Sequence, residues 1–504
     1  MPHTLPRSTP AGTGLDPAAI DRLLAGLDRL QEPHAVMVVH RGQVVAEAAW
    51  HPYRLADPQL LFSVSKTFTS VAVGLAVDEG LLSIDDRVID LLPDDAPAEP
   101  SANLAATRVR HLLTMTSGHA SESMEAIGRT GGTWAQDLLA APVEHVPGTR
   151  FVYDTGSSYL LSAILHRLTG GRVLDFLRPR VLEPLGVVDA HWELDPQGID
   201  VGGYGLSIPI EGMAALGELF RLGGRLGDRQ LVPAAWIEAA SAAQVPNGPN
   251  VSPDWAAGYG YQVWRCRNGA YRADGAFGQF IVVWPERELV VAIFAGIQDM
   301  QEELSAVWEA FGDGSAADGT PGGDAGTVAD GAAPASLALP TVVGAAADDV
   351  EALVLGRTFA FAAPDEPAEP AAPADAVDAA DADASSNLDD EALRLASVRV
   401  DRDERGRIVL GITRADGGTE VVAGHGEWVV GDAGLDAPVG ARAAASAAWT
   451  GPRTLVVRVL SLSTPFAWTW TATFAPDGTA VDLVVDQNVA FGPTRLFDGT
   501  LRAD

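Results

Sequence analysis

The alternation of apolar and polar residues predicts a helix followed by two strands near the start of the chain. Asp16, followed by proline, is a helix N-cap, and apolar residues then recur at helical spacing up to Leu30. Two apolar runs, 36–39 and 44–46, flank Arg41-Gly42 and predict a β-hairpin.

The same kinds of element return near residue 300. Apolar runs at 280–284 and 289–294 surround a polar tetrapeptide and predict a second hairpin, and 298–311 has the pattern of an amphipathic helix. Residues 85–240 between the two hairpins are mostly helix and loop. The order predicts an α/β (α+β) domain over 1–312, with an antiparallel sheet flanked by its terminal helices and a helical insert.

The pattern changes after residue 312. Residues 313–347 are rich in Gly, Ala and Asp and contain no aromatic residue, which predicts a flexible acidic linker. Short alternating segments between turns then predict a small all-β accessory domain over 348–504, either a sandwich or an incomplete barrel. A low-complexity acidic tract at about 363–390 predicts a disordered insertion in this domain.

The amino-acid composition limits the kinds of molecule that the protein is expected to bind. The net charge is −33, and the stretch 312–391 alone holds 17 acidic residues and one base. Such a surface repels phosphate backbones and anionic lipids, so we expect neither a nucleic-acid nor a membrane partner. The only cysteine, Cys266, excludes an intramolecular disulfide framework. No signal-peptide pattern and no apolar run long enough for a membrane span is present, and we expect a cytoplasmic protein of undetermined oligomeric state.

Lysine occurs once in the 504 residues, at position 66. Apart from the histidines, every other basic residue is an arginine. Arginine stays charged at any physiological pH, but a buried lysine can lose its proton. A position that keeps lysine in such a chain therefore indicates chemistry that needs a neutral amine.

A serine lies three residues before this lysine, at the start of a mostly apolar helix. Ser63 and Lys66 share one helix face at this spacing, so their side chains can meet. The helix N-terminus offers free backbone N–H groups and a partial positive charge to an oxyanion. The alternative is that Ser63 caps the helix and Lys66 is exposed to solvent. This alternative does not explain why the chain keeps a single lysine at this position.

Several motifs in a fixed order resemble the serine β-lactamase, penicillin-binding protein and esterase superfamily. Ser63–Lys66 resembles the SxxK motif, 112–118 (LLTMTSG) resembles the signature that follows it, and Tyr153-Asp154-Thr155 resembles the second motif. The resemblance covers about residues 15–312 and is closest to the class C-like branch. It implies a β-lactamase/transpeptidase-like fold in which Tyr153 joins Lys66 in proton transfer. Thr155 stands where the family usually has Asn or Ser.

The third motif departs most from the family pattern, which usually has a Lys or His there. The best match is Arg272–Gln279, in which Gly275 would admit substrate to the strand edge. The resemblance implies that the Ala276 N–H forms the oxyanion hole together with that of Ser63. Three roles are open for Asp274: catalysis, orientation of Tyr153 or Lys66, and capping of the turn. An acid here argues against substrates with a carboxylate, unless Arg272 compensates.

These features predict a serine hydrolase that acts on small esters or amides through a covalent acyl-enzyme, without metal or cofactor. Ser63 is the predicted nucleophile, and Lys66 and Tyr153 carry its proton. Two alternatives remain: a catalytically silent binding or regulatory protein on the same fold, and a β-lactamase or D-amino-acid peptidase. The C-terminal domain has no sequence mark of a site of its own and is expected to be a lid or accessory domain.

Overall fold

The computed structural model describes residues 5–248, 252–312, 337–344, 349–361, 395–414, 417–432 and 442–503. The predicted acidic insertion at 363–390 lies outside the described residues. The helices in the described part are α1 (Pro10–Thr13), α2 (Pro17–Leu27), α3 (Ser65–Asp78), α4 (Val88–Leu91), α5 (Ala102–Ala106), α6 (Val109–Leu113), α7 (Trp134–Ala140), α8 (Thr155–Thr169), α9 (Val173–Leu177), α10 (Ile210–Arg221), α11 (Ala234–Ser241), α12 (Met300–Phe311) and α13 (Val350–Val354). No helix among these residues is long and apolar enough to cross a bilayer.

The first domain is built on a six-stranded antiparallel sheet in the order β2-β1-β11-β10-β9-β8. Its strands, with the short pairs beside them, are β1 (Pro33–His40), β2 (Gln43–Ala49), β3 (Gln59–Leu60), β4 (His191–Trp192), β5 (Leu206–Ile208), β6 (Arg225–Leu226), β7 (Arg229–Gln230), β8 (Trp264–Arg265), β9 (Tyr271–Gly275), β10 (Gln279–Trp284) and β11 (Leu289–Ala295). Both predicted hairpins are confirmed as β1–β2 and β10–β11.

Helices cover both faces of this sheet because successive strand residues point to opposite sides. Val36 and Val38 of β1 pack with α2 and α12, whereas Met37 and Val39 pack with α3 and α10. The predicted helix start is confirmed, since the Asp16 carboxylate accepts a hydrogen bond from a backbone N–H in the first turn of α2. The mostly apolar helix that follows the serine is α3, in which every residue from Ser65 to Ala76 is buried.

The C-terminal part forms one ten-stranded antiparallel sheet in the order β15-β14-β13-β12-β21-β20-β19-β18-β17-β16. Its strands are β12 (Thr358–Ala360), β13 (Leu395–Arg402), β14 (Ile408–Arg414), β15 (Gly417–Ala423), β16 (Val429–Asp432), β17 (Arg442–Gly451), β18 (Thr454–Ser461), β19 (Ala467–Phe474), β20 (Ala480–Gln487) and β21 (Arg495–Ala503). Gly424, just after β15, bridges to Ser446 of β17, so the two ends of the sheet meet there as in a barrel.

Part of the predicted flexible linker is packed against both domains, which corrects that expectation over 337–344. Leu339 is buried in the core between the domains, and its N–H donates to His51 O at 2.9 Å. Trp428 Nε1 donates to Leu339 O at 3.0 Å. Composition missed this anchor because the two leucines of this Gly- and Ala-rich stretch, Leu337 and Leu339, are too few to give a periodic signal.

A buried ion pair also joins the two domains. Glu32, which precedes β1, is fully buried, and Arg458 Nη2 of β18 donates to its Oε1 at 3.0 Å. Asn488 Nδ2 donates to the other carboxylate oxygen at 2.7 Å. Burial raises the pKa of Glu32 to about 7, although Arg458 and Asn488 lower it in part.

This raised pKa predicts a pH-dependent stability. Between pH 4.5 and 7 the folded state keeps a proton on Glu32 that the unfolded state has lost, so stability falls as the pH rises. Across this window, the free energy of unfolding of the wild type should fall by about 3 kcal/mol relative to that of Glu32→Gln. Urea titrations at several pH values measure it. Glu99→Gln at an exposed position is the control, and parallel pH profiles for wild type and Glu32→Gln would contradict the prediction.

Candidate active site

The predicted nucleophile lies in a tight turn that leads directly into α3. A single turn of 3-10 helix, Phe62–Val64, carries Ser63, whose side chain is mostly buried, with 8% of its surface exposed. Phe62 adopts a left-handed backbone with φ 46°, which is rare for a residue other than glycine. The segment before the turn is held by the N–H of Leu61, which donates to Leu206 O at 2.8 Å.

Lys66 is buried in the first turn of α3 and points at three oxygen atoms. Its Nζ lies 2.9 Å from Ser63 Oγ, 3.1 Å from Thr155 Oγ1 and 3.0 Å from Gly203 O. None of these three acceptors is ionised. The structure thus brings together Ser63, Lys66 and Thr155, as the sequence predicts, and adds a backbone carbonyl that no motif indicates.

Glycine at position 203 is required by close packing. A Cβ built on Gly203 would lie 2.5 Å from Thr155 Cγ2 and 3.2 Å from Thr155 O. Any larger residue would push this loop away and move the carbonyl oxygen off the lysine. The neighbouring Gly202 O accepts a hydrogen bond from Thr69 Oγ1 at 2.7 Å, which ties the loop to the next turn of α3.

Tyr153 lies beside the lysine, with its ring centroid 4.8 Å from Lys66 Nζ. The ring stacks on Trp264 at 5.4 Å and meets Tyr259 edge-on at 6.3 Å. Trp264 and Tyr259 therefore pack against the tyrosine ring and fix its position.

The LLTMTSG segment positions the loop that carries this tyrosine. Met115 is fully buried and has a left-handed φ of 56°. Its O accepts the N–H of Val152 at 2.9 Å, and its Sδ lies 3.4 Å from the N–H of Asp154. These contacts clamp the backbone on both sides of Tyr153, which gives the motif a physical role.

An acid that sequence reasoning missed caps the helix that begins at Thr155. Glu122 Oε2 accepts the Thr155 N–H at 2.7 Å, and Oε1 accepts the Gly156 N–H at 3.3 Å. Burial, followed by the negative charge of Asp154, raises the pKa of Glu122 well above its usual range. Ser123 lies next to Glu122 and holds Asp154 Oδ1 through its N–H at 2.9 Å. Glu122 is 33 residues from Thr155 and belongs to no motif, so no local sequence pattern indicates its role.

The third-motif segment approaches the nucleophile turn at Gly275, whereas the sequence predicted that this glycine admits substrate to the strand edge. A Cβ on Gly275 would lie 2.1 Å from Leu61 O and 3.1 Å from Ser63 N, so only glycine lets β9 approach this closely. Ala276 follows at the end of the strand. Gln279, which the sequence analysis did not single out, donates from Nε2 to Ala276 O at 3.2 Å and to Phe277 O at 3.2 Å. This amide fixes the orientation of the peptides beside Ala276.

The sequence left open whether Arg272 compensates for the missing basic residue, and its position does not favour that role. The side chain is fully buried; its Nε donates to Asp274 Oδ2 at 3.0 Å, and Nη1 donates to Asp254 O at 2.8 Å and reaches Cys266 Sγ at 3.3 Å. The guanidinium also lies over the Trp255 ring at 4.3 Å. Arg272 and Asp274 share one face of β9 and form an internal ion pair. This pairing is a fourth role for Asp274, beyond the three that the sequence left open.

His119 follows the LLTMTSG segment directly and contacts a backbone carbonyl. Its Nδ1 lies 2.7 Å from Pro142 O, and 7% of its surface is exposed. Within the described ranges, no group of three or more His, Cys, Asp and Glu side chains is arranged to hold a metal ion.

The chain is similar to esterases and to a penicillin-binding protein. It is 25% identical over 170 residues to a lovastatin esterase of Penicillium rubens, covering 28% of this chain and 41% of that protein. It is 28% identical over 191 residues to esterase EstB of Burkholderia gladioli, with 34% and 48% covered. It is 32% identical over 153 residues to penicillin-binding protein 4 of Amycolatopsis lactamdurans, with 30% and 38% covered. The chain thus spans less than half the length of each of these relatives.

The described site lies within a single matched region. The family model described as Beta-lactamase matches residues 27–310, which include Ser63, Lys66, Tyr153 and the third-motif strand. The resemblance drawn from the sequence motifs is thereby confirmed over most of the predicted first domain. The match covers more than half of the chain, which therefore belongs to the Beta-lactamase family.

Proposed function

We propose that the protein is a serine hydrolase that cleaves small uncharged esters or amides through a covalent acyl-enzyme. The observation that carries this proposal is the contact between Lys66 Nζ and Ser63 Oγ at 2.9 Å in a buried site. A serine hydroxyl is a weak nucleophile until a base within hydrogen-bond distance takes its proton. The esterase names of two similar proteins support the same reaction class.

Acylation begins with Lys66 as a neutral amine. Ser63 Oγ attacks the substrate carbonyl carbon while its proton passes to Lys66 Nζ. Thr155 Oγ1 and Gly203 O accept the two N–H bonds of the neutral amine, which leaves the lone pair directed at the serine. The oxyanion that forms on the carbonyl oxygen is held by the N–H groups of Ser63 and Ala276.

The intermediate collapses when the bond from the acyl carbon to the leaving group breaks. The proton on Lys66 passes to the leaving alcohol or amine, with the Tyr153 phenol as the second carrier, and the acyl group stays on Ser63. Deacylation reverses these roles: a water molecule attacks the acyl carbon, its proton returns through the same pair, and Ser63 Oγ is released. The ring position of Tyr153, 4.8 Å from Nζ, supports this assignment.

The charges around the site favour substrates without a carboxylate. Arg272 is neutralised by Asp274 and buried, and Lys66 is committed to three oxygens inside the site. A substrate carboxylate would therefore lose its hydration without gaining a counter-charge from either residue. We therefore rank the hydrolysis of β-lactams and D-amino-acid peptides below the hydrolysis of esters.

Replacement of the nucleophile gives the first test. Ser63→Ala should lower kcat for 4-nitrophenyl acetate by ~10³-fold or more and abolish labelling by a fluorophosphonate, because no other hydroxyl would receive the phosphonyl group. Intact-mass spectrometry detects the adduct. Ser70→Ala, which removes a buried hydroxyl further along the same helix, is the matched control. Equal labelling of Ser63→Ala and wild type would refute the proposal and leave a silent binding protein.

Replacement of the lysine by arginine tests the proton transfer separately from charge. Lys66→Arg keeps a cation but cannot accept the serine proton, so kcat/KM should fall by ~10²–10⁴-fold and should not recover as the pH is raised. Arg229→Lys at an exposed position controls for the exchange itself. A Lys66→Arg variant with wild-type activity would refute the base role while leaving Ser63 as nucleophile.

A matched pair of esters tests the charge argument. 4-Nitrophenyl butyrate and the 4-nitrophenyl monoester of succinic acid share a leaving group and acyl length, but only the second carries a carboxylate. We expect kcat/KM to be higher for butyrate by roughly tenfold or more, since the carboxylate would be desolvated without compensation. Initial rates at 0.15 M salt measure the ratio, and a preference for the succinyl ester would contradict the assignment of Arg272.

A further inference from the structure

Two strained residues flank the proposed oxyanion hole. Phe62 precedes Ser63 with φ 46°, and Phe277 follows Ala276 with φ 65°. The left-handed conformation costs about 1–2 kcal/mol for a residue with a side chain, and it persists only where the surroundings enforce it. Whatever holds these two rings therefore also holds the two N–H groups that would bind the oxyanion.

The C-terminal domain supplies much of the packing around these rings. Phe62 and Phe277 meet edge-on at 5.5 Å between ring centroids, inside a small cluster that also contains the fully buried Val489. The Phe491 ring lies 4.6 Å from that of Phe277 and 6.2 Å from that of Phe62. Phe466 lies 5.8 Å and 6.1 Å from the same two rings. Three of the seven members of this cluster thus come from beyond residue 460.

Backbone contacts fix the loops that carry these residues, Ser463–Phe466 and Asn488–Phe491, which we name the docking loops. Ser463 O accepts the N–H of Leu60, in the strand that enters the nucleophile turn, at 2.8 Å. Asn488 Nδ2 donates to Pro465 O at 2.8 Å and so ties one docking loop to the other. The same amide reaches Glu32, so each loop is bonded to the first domain.

We propose that Phe466 and Phe491 are positioning residues of the active site, which hold the oxyanion hole through Phe62 and Phe277. The C-terminal domain then completes the site and is more than a lid or an accessory module. The inference rests on the proposed function, since it assigns the role of the oxyanion hole to the Ser63 and Ala276 N–H groups. It adds two residues more than 180 positions away from either of them.

The expected effect is on the transition state. Phe491→Ala removes the ring that packs most closely on Phe277, which frees the strained backbone beside Ala276 to relax. A displacement of about 1 Å in a catalytic group can cost on the order of 10²-fold in rate. We expect kcat for 4-nitrophenyl acetate to fall by roughly 10–100-fold in Phe491→Ala and in Phe466→Ala, with KM changed less than about threefold.

The experiment compares these variants in the full-length chain with two matched proteins. Phe491→Leu keeps an apolar side chain and should recover part of the activity. Phe497→Ala removes an equally half-buried phenylalanine of the same domain, which packs on Phe361 away from the site, and should keep wild-type kcat. Active sites are counted by fluorophosphonate labelling, and rates are expressed per labelled site.

A second readout uses phenylboronic acid, which forms a tetrahedral adduct with Ser63 Oγ and places a boronate oxygen in the oxyanion hole. Its affinity should fall by the same factor as kcat/KM if Phe491 acts through that hole. A lower number of labelled sites with an unchanged rate per site would show a folding role only and overturn the inference, as would unchanged kinetics. If wild type shows no labelling that depends on Ser63, the proposed function fails and the inference falls with it.

Discussion

The site depends on one constraint: the buried amine of Lys66 must meet three oxygens from three separate elements. Ser63 comes from the turn before α3, Thr155 from the first turn of α8, and the Gly203 carbonyl from a loop between strands. Each distance is within about a tenth of an ångström of 3 Å, so these elements have little freedom to move apart. A buried polar group without partners is costly, and this convergence gives a partner to each N–H bond of the neutral amine and directs its lone pair at the serine hydroxyl. The fit explains why Gly203 accepts no side chain and why Glu122 fixes the start of α8.

A second constraint lies beside the first, because strained backbone precedes Ser63 and follows Ala276. Phe62 and Phe277 both adopt left-handed conformations in which glycine is the usual residue, and both instead carry large aromatic rings. The rings make sense as anchors, since burial of an aromatic side chain stabilises by more than the backbone strain costs. Flexible glycines would satisfy the dihedral angles but would not hold the flanking N–H groups in one orientation.

Sequence patterns predicted the parts of the structure that depend on near neighbours along the chain. The two hairpins, the N-cap at Asp16 and the Ser63–Lys66 pair all rest on spacings of a few residues, and the structure has them. Glu122 and Gly203 could not be predicted in this way, because each acts on a partner brought near only by the tertiary fold. Gln279 acts on its near neighbours Ala276 and Phe277, but no motif indicates that its amide bonds their carbonyl groups. The role of Arg272 was left open for a related reason: its charge is visible in the sequence, but its burial and its pairing with Asp274 are not. The packing of segment 337–344 was not predicted, because the average composition of the stretch hides the contribution of the buried Leu339.

Because every basic residue of the chain except Lys66 and the histidines is arginine, charges with a structural role can be compared directly with the lysine of the site. Arg272 and Arg458 are held by buried carboxylates, and a permanently charged, multidentate guanidinium suits both pairs. Lys66, by contrast, contacts only uncharged oxygens, and the proposed mechanism needs a group there that can exist as a neutral amine. A chain with net charge −33 also repels anionic substrates before they reach the site. Long-range charge, the buried pairing of Arg272 with Asp274 and the three contacts of Lys66 are thus independent arguments for the substrate class that we propose, a neutral ester.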